Sequence, residues 1–279
     1  MRIIEAKTIS RKISEMAKDA NYNLSSDIIN SFKIARKKEN SELAKEILSQ
    51  LIENAEIASK DQIPICQDTG FGVVFLEIGN ELHIKGDIYE AVNEGIRKGY
   101  KEGYLRKSIV KDPIKRTNTN DNTPAVIHTK FVEGDKLKII FAPKGGGSEN
   151  MSKIKMLKPA DGVEGIKNFV LQTVKEAGAN PCPPIIVGVG IGGTFEKVAY
   201  LAKKALIRDI NDSHPEKHIA NLEKELLSEI NELGIGPQGF GGKTTALAVK
   251  VEKFPCHIAS LPVAVNINCH ASRHKEIII

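Results

Sequence analysis

Apolar and polar positions divide the chain into a helical opening and a longer stretch in which strands and helices alternate. From residue 25 to about 61 the apolar side chains recur with a helical period. Leu43, Ala44, Ile47, Leu48, Leu51, Ile52 and Ala55 make one face, with Lys45, Glu46 and Gln50 between them. Such a stripe predicts packing, not a site. Pro64 stops this region because it cannot continue a helix. The apolar run Val73-Val74-Phe75-Leu76 opens a predicted strand over 73–78, and 82–84 predicts a short second strand after Gly79-Asn80. Residues 87–103 predict a helix with Asp87 as its cap.

Further along, 125–131 and 137–142 flank Glu133-Gly134-Asp135, which predicts a hairpin. A helix follows over 161–178, with Ile166, Phe169, Val170 and Val174 on one side and Gly178 at its end. Residues 185–187 predict a buried strand and 194–207 and 216–233 two helices, while 245–251 and 257–267 resemble paired strands. No internal repeat or low-complexity linker interrupts the series. The expected fold class is therefore α+β (mixed α/β), a helical N-terminal region followed by a mixed sheet with packed helices. One catalytic-type domain is expected over 1–279, its helical region of about 8–61 packed on an α/β region of about 62–279.

Composition adds limits. The chain has 279 residues with 40 Lys and Arg against 35 Asp and Glu, a net charge of +5, no Trp and 5% aromatic residues. That mild excess is spread along the chain, so nucleic acid is not implied, whereas a small anionic substrate suits it. No apolar stretch approaches the ~18 residues of a membrane span, and the start lacks a long apolar leader, so no membrane association is expected and the cytoplasm is the expected location. Four cysteines, at 66, 182, 256 and 269, include no close CxxC pair. Reduced thiols or metal ligands are the two open readings.

The chemistry is concentrated in a few turns. Cys66-Gln67-Asp68-Thr69-Gly70 sets a thiol, an amide, a carboxylate and a hydroxyl side by side on a predicted helix-to-strand turn; a buried Cys and a turn-forming Asp are the plain alternative. Arg106, read alone, is an ordinary solvated arginine. Lys144-Gly145-Gly146-Gly147 suits backbone amides converging on an anion, and suits a flexible loop equally well. Asn180-Pro181-Cys182-Pro183-Pro184 holds a cysteine in a rigid backbone. Gly188, Gly190 and Gly193 match GxGxxG, but the acidic residue expected after the next strand is missing, so tight helix–strand packing ranks above dinucleotide binding. The run 234–244 resembles a phosphate-binding loop with the wrong spacing. Cysteine spacings of 116 and 87 residues identify no metal site by themselves.

Taken together, CQDTG at 66–70, DNTPA at 121–125, KGGGSEN at 144–150, NPCPP at 180–184, GIGGTFE at 190–196, GPQGFGGKTTAL at 236–247 and NCHASRH at 268–274 resemble class I fumarate hydratase. More narrowly, the chain resembles the alpha subunit, or amino-terminal half, of the iron-sulfur fumarate hydratase and L-tartrate dehydratase family, from about residue 10 to the C-terminus. The resemblance implies a 4Fe-4S cluster held by Cys66, Cys182 and Cys269, with Cys256 outside the ligand set. It implies a substrate dicarboxylate met by Gln67, Asp68, Arg106, Gly146 and His257, with Asp68 as the proton donor or acceptor; this reverses the solvated reading of Arg106. The family's carboxy-terminal half, source of further basic residues and a catalytic Thr, is not in this chain. A separate beta subunit and a heterotetramer are therefore expected. The activity implied is reversible hydration of fumarate, with tartrate dehydration as the alternative and a nucleotide-binding or regulatory module using the Gly-rich loops as an alternative of another class.

Overall fold

The computed structural model describes residues 2–279. In chain order the elements are β1 (Arg2–Glu5), α1 (Ala6–Tyr22), α2 (Ser26–Lys38), α3 (Glu42–Asp61), β2 (Phe71–Gly79), β3 (Leu82–Lys85), α4 (Ile88–Glu102), β4 (Val126–Val132), β5 (Leu137–Lys144), α5 (Gly146–Glu149), β6 (Lys153–Leu157), α6 (Gly162–Ala177), β7 (Ile185–Gly192), α7 (Phe195–Ala205), α8 (Lys217–Glu232), β8 (Ala246–Phe254), β9 (Leu261–Asn268) and β10 (Lys275–Ile278). The fold class is mixed α+β, as the periodicities imply. The chain forms two compact units, one of residues 2–25, 55–146 and 273–279, the other of 26–54 and 147–272.

In the first unit a sheet of order β10-β5-β2-β4 carries the core. Val74, Leu76 and Ile78 alternate along β2 toward Ile9, Ile13, Val92 and Ile96 of α1 and α4. Burying each such aliphatic side chain contributes about 1.5–3 kcal/mol. The two helices meet closely because α4 offers glycines one turn apart: a Cβ on Gly95 would lie 2.5 Å from the Ser10 carbonyl, and on Gly99 2.9 Å from that of Ser14. Asp87 caps α4 as expected, its carboxylate accepting the Tyr89 and Glu90 amides at 2.8 and 3.1 Å.

The expected hairpin of β4 and β5 is corrected. Both strands exist, but β2 lies between them, parallel to β4 and antiparallel to β5. Burial decides the order: β2 is apolar on both faces and needs a neighbour on each side, while β4 is largely exposed and suits an edge.

In the second unit the sheet runs β6-β9-β7-β8, so the expected pairing of β8 with β9 is also corrected, since β7 separates them. Val187 and Val189 point into a core with Val170 and Val174 of α6 and Leu226 and Ile230 of α8. The intervening glycines face α7, where a Cβ on Gly188 or Gly190 would stand 2.2 Å from the carbonyl of Ala202 or Val198. These glycines lie within the strand, which runs on to Gly192, and serve close helix–strand packing, as ranked from the sequence. Among the described residues no helix is long and apolar enough to cross a membrane.

Candidate functional site

In the first unit, residues 66–70 occupy the loop between α3 and β2. The loop is held from beneath by Tyr100, wholly buried on α4, whose hydroxyl donates to the Thr69 and Gly70 carbonyls at 2.8 and 3.0 Å. Burial pushes the Tyr100 phenol far above its ordinary range, with the charge of Arg273 opposing and that of Asp68 adding, so it stays a donor. Asn122, also fully buried, donates to the Gly70 carbonyl at 3.1 Å and accepts the Ser108 amide at 2.7 Å. At Gly70 φ is +83°, and a Cβ would sit 2.7 Å from the Lys144 amide nitrogen. Only glycine allows that approach.

This fixed loop aims the Asp68 carboxylate. Its Oδ1 accepts the Gly70 amide at 3.0 Å and its Oδ2 the Gly146 amide at 2.8 Å. Gly145 and Gly146 therefore bring their backbone onto the carboxylate, where a Gly145 Cβ would lie 3.3 Å from Oδ2. Thr69 ties Arg106 to the same loop: its hydroxyl accepts the Arg106 amide at 2.9 Å and donates to the Arg106 carbonyl at 3.2 Å. The Arg106 side chain, like that of Gln67, is exposed. Arg273 completes the group. It is 5% exposed, its Nη2 donates to the Asp68 carbonyl, and its buried Nε and Nη1 have no hydrogen-bond partner among the described residues.

The second unit carries the other two cysteine turns. Cys182 is exposed at φ +54°, with its amide on the Ala179 carbonyl at 2.9 Å. Its own carbonyl accepts the amide of His270, the residue after Cys269, at 3.2 Å. Gln238, at φ +52°, lies against both turns: its backbone and side-chain nitrogens reach the Pro183 carbonyl at 2.8 and 2.7 Å, and Nε2 is 3.2 Å from His270 Nδ1. The 241–245 loop is anchored by Glu39, only 3% exposed, which accepts the Asn40, Ser41, Lys243 and Thr244 amides at 2.9, 3.3, 2.7 and 3.3 Å. Burial raises its pKa, but the four amides outweigh burial and hold the carboxyl below its ordinary value. His257 is exposed on the turn after β8, its Nδ1 accepting the Ala259 amide at 3.1 Å, which leaves Nε2 to carry the proton.

None of the four cysteines forms a disulfide. Among the described residues no three His, Cys, Asp or Glu side chains stand as a single metal-holding group. The chemistry around the thiols nevertheless suits an anionic metal cluster. The Cys66 sulfur accepts the Asp68 amide at 3.4 Å, a bond a thiolate keeps, and donates to Gln67 Oε1 at 3.4 Å, a bond it gives up on losing its proton. The orphaned Arg273 donors put buried positive charge beside the same motif.

Sequence reasoning did not single out Tyr100, Asn122, Arg273, Gln238 or Glu39. Asn122, Gln238 and Arg273 stood inside motifs already set apart, and a polar side chain there was the available signal. Tyr100 and Glu39 carried none, since each bonds to backbone distant in sequence.

Residues 10–278 match the family model described as Fumarate hydratase (Fumerase). A chain of Methanocaldococcus jannaschii, provisionally named an L(+)-tartrate dehydratase subunit alpha, is 50% identical over 273 residues, 95% of each chain. The L(+)-tartrate dehydratase subunit alpha of Escherichia coli strain K12 is 30% identical over 256 residues, 91% of this chain and 84% of its own. The equally named protein of Shigella sonnei matches to the same extent, 30% over 256 residues. The class so defined is a hydro-lyase, an enzyme that adds or removes water across a carbon–carbon bond. The chain belongs to the fumarate hydratase (fumerase) family.

Proposed function

We propose that the chain is the alpha subunit of an iron-sulfur hydro-lyase acting on a small C4 dicarboxylate, hydrating fumarate reversibly to malate. The observation that carries this reading is Asp68, a carboxylate whose two oxygens are held by the Gly70 and Gly146 amides beside exposed Gln67 and Arg106. Cys66, Cys182 and Cys269 would hold a 4Fe-4S cluster. When bound, such a cluster with three thiolate ligands supplies an iron with an open position, a Lewis acid for a substrate oxygen.

The roles of the chain's own residues follow from their chemistry. Arg106 pairs with a substrate carboxylate through its planar fork of donors, and Gln67 adds an amide. The Gly146 amide serves either Asp68 or a substrate oxygen, and His257 donates from Nε2. Asp68 moves the proton: in hydration it delivers one to a carbon of the double bond while hydroxide adds to the other, and in dehydration it takes that proton back. The active form pairs this chain with a separate beta subunit that completes the site, as a heterotetramer in the cytoplasm.

A second reading, dehydration of L-tartrate to oxaloacetate, is favoured by the names of the relatives. Loss of a hydroxyl and the α-proton of tartrate gives the enol of oxaloacetate, which tautomerises to the ketone, so Asp68 keeps the same role. The test runs both assays on the anaerobically reconstituted pair, following fumarate by its ultraviolet absorbance and oxaloacetate as product from L-tartrate. Turnover of neither substrate, with cluster and beta subunit present, rejects the substrate class.

A further inference from the structure

We infer that Gln238 and His270 are positioning residues that set the relative placement of the Cys182 and Cys269 thiols. This inference rests on the reading of those two cysteines as cluster ligands. A primary amide nitrogen carries two hydrogens and accepts none. The Pro183 carbonyl, 2.7 Å from Gln238 Nε2, fixes which end of the amide is nitrogen. Nε2 lies 3.2 Å from His270 Nδ1, and Nδ1 in turn lies 3.1 Å from the Cys182 carbonyl, so the imidazole sits between the amide and that carbonyl and its tautomer sets which of the two it bonds. The Cys182 carbonyl also receives the His270 backbone amide at 3.2 Å, so the 180–184 turn meets the 268–272 turn directly through the backbone and imidazole of His270 and again through Gln238.

The backbone at this junction has little freedom. Gln238 is held at φ +52° and ψ 16°, a left-handed conformation rare for a residue other than glycine, and Cys182 at φ +54°. Such conformations persist where surrounding bonds over-determine them. The neighbouring Gly239 packs so close to the Cys182 turn that a Cβ would lie 2.3 Å from that of Ala179. At metal centres, partners that orient a ligand from behind set affinity strongly, and their loss typically costs about 10- to 100-fold. Gln238 bonds beside one proposed ligand and reaches the residue next to another, so one side chain governs the spacing of both.

The test uses the full chain, reconstituted anaerobically with ferrous iron and sulfide, in four forms: wild type, Gln238→Met, His270→Ala and the double variant. Methionine keeps the length of Gln238 and removes both donors. The rate at which a chelator strips iron, followed by visible absorbance, should rise about 10- to 100-fold in Gln238→Met. The rise should be smaller in His270→Ala, which keeps the Pro183 bond, and the double variant should fall short of the two effects combined, because His270 Nδ1 sits against both Gln238 and the Cys182 carbonyl. Cluster-free Gln238→Met should melt within a few degrees of wild type. Stripping rates unchanged in Gln238→Met, or effects of the two variants that simply add, would overturn the inference. Cys182→Ser and Cys269→Ser run alongside: if they retain iron, the ligand reading fails instead.

Discussion

The Gly146 amide donates to Oδ2 of Asp68 at 2.8 Å, across 78 positions of sequence, while Gly70 takes Oδ1 at 3.0 Å. Both oxygens are committed in fixed directions, which suits a group that must meet one carbon of a substrate. Asp68→Asn keeps the shape and cannot exchange a proton as a carboxylate does. The reconstituted enzyme should lose about 10²- to 10⁴-fold in kcat with iron content near wild type. Iron analysis beside initial rates decides the matter; a variant that loses iron in proportion to activity would make Asp68 a structural residue instead.

The thiols make a second prediction. Cys66→Ser, Cys182→Ser and Cys269→Ser should each reduce iron and sulfide content sharply, since each removes one of three protein ligands. Cys256 donates to the Ser260 carbonyl of its own turn at 3.3 Å and lies outside the proposed ligand set, so Cys256→Ser should load iron as wild type does. Equal dependence on all four would rule out an iron with an open position.

How far the sequence could be read follows from what each signal measures. Periodicity located α3, α4, α6 and α8 because a helix buries a stripe that is visible in one segment. It mispaired β4 with β5 and β8 with β9, because adjacency in sequence stood in for adjacency in the sheet, and the strand that intervenes each time, β2 or β7, comes earlier in the chain. The glycines at 188 and 190 were legible as packing positions from the missing acidic residue alone. Asp68 and Gly146 were legible through motif resemblance, but the bond between them was not. Tyr100 and Glu39 stayed hidden because their partners are backbone groups, which leave no residue-specific trace.

Tyr100 tests what holds the reactive loop. Tyr100→Phe leaves the buried Thr69 and Gly70 carbonyls without their hydroxyl donor, though Gly70 keeps Asn122. A loss of about 1–3 kcal/mol is expected in urea unfolding of the cluster-free chain. Wild-type stability in that variant would mean that the loop is held elsewhere.

Gly190→Ala separates packing from nucleotide binding. The added methyl would meet the Val198 carbonyl at 2.2 Å, so β7 and α7 must move apart, at a cost of about 1–3 kcal/mol or more. Thermal unfolding should shift downward accordingly. Calorimetric titration of the wild type with NAD or ATP should show no binding, and a saturable signal lost in Gly190→Ala would restore the nucleotide-module reading.

Glu39 predicts a pH dependence with a definite sign. Its folded pKa lies below the ordinary value of 4.5, because four amide donors favour the charged form more than burial opposes it. A depressed carboxylate pKa means that the unfolded chain takes up the proton first, so the stabilisation is fully present above about pH 5 and is lost as pH falls through 4.5 and below. Glu39→Gln replaces one acceptor oxygen by an amino group that faces two N–H donors. At pH 7 it should cost about 1–3 kcal/mol. The gap between wild type and variant should narrow steadily toward pH 3 as wild-type Glu39 itself becomes protonated. Urea unfolding of the cluster-free chain at pH 7, 5, 4 and 3 measures that gap directly, and a gap that stays constant over the series would mean that the 241–245 loop does not depend on the Glu39 charge.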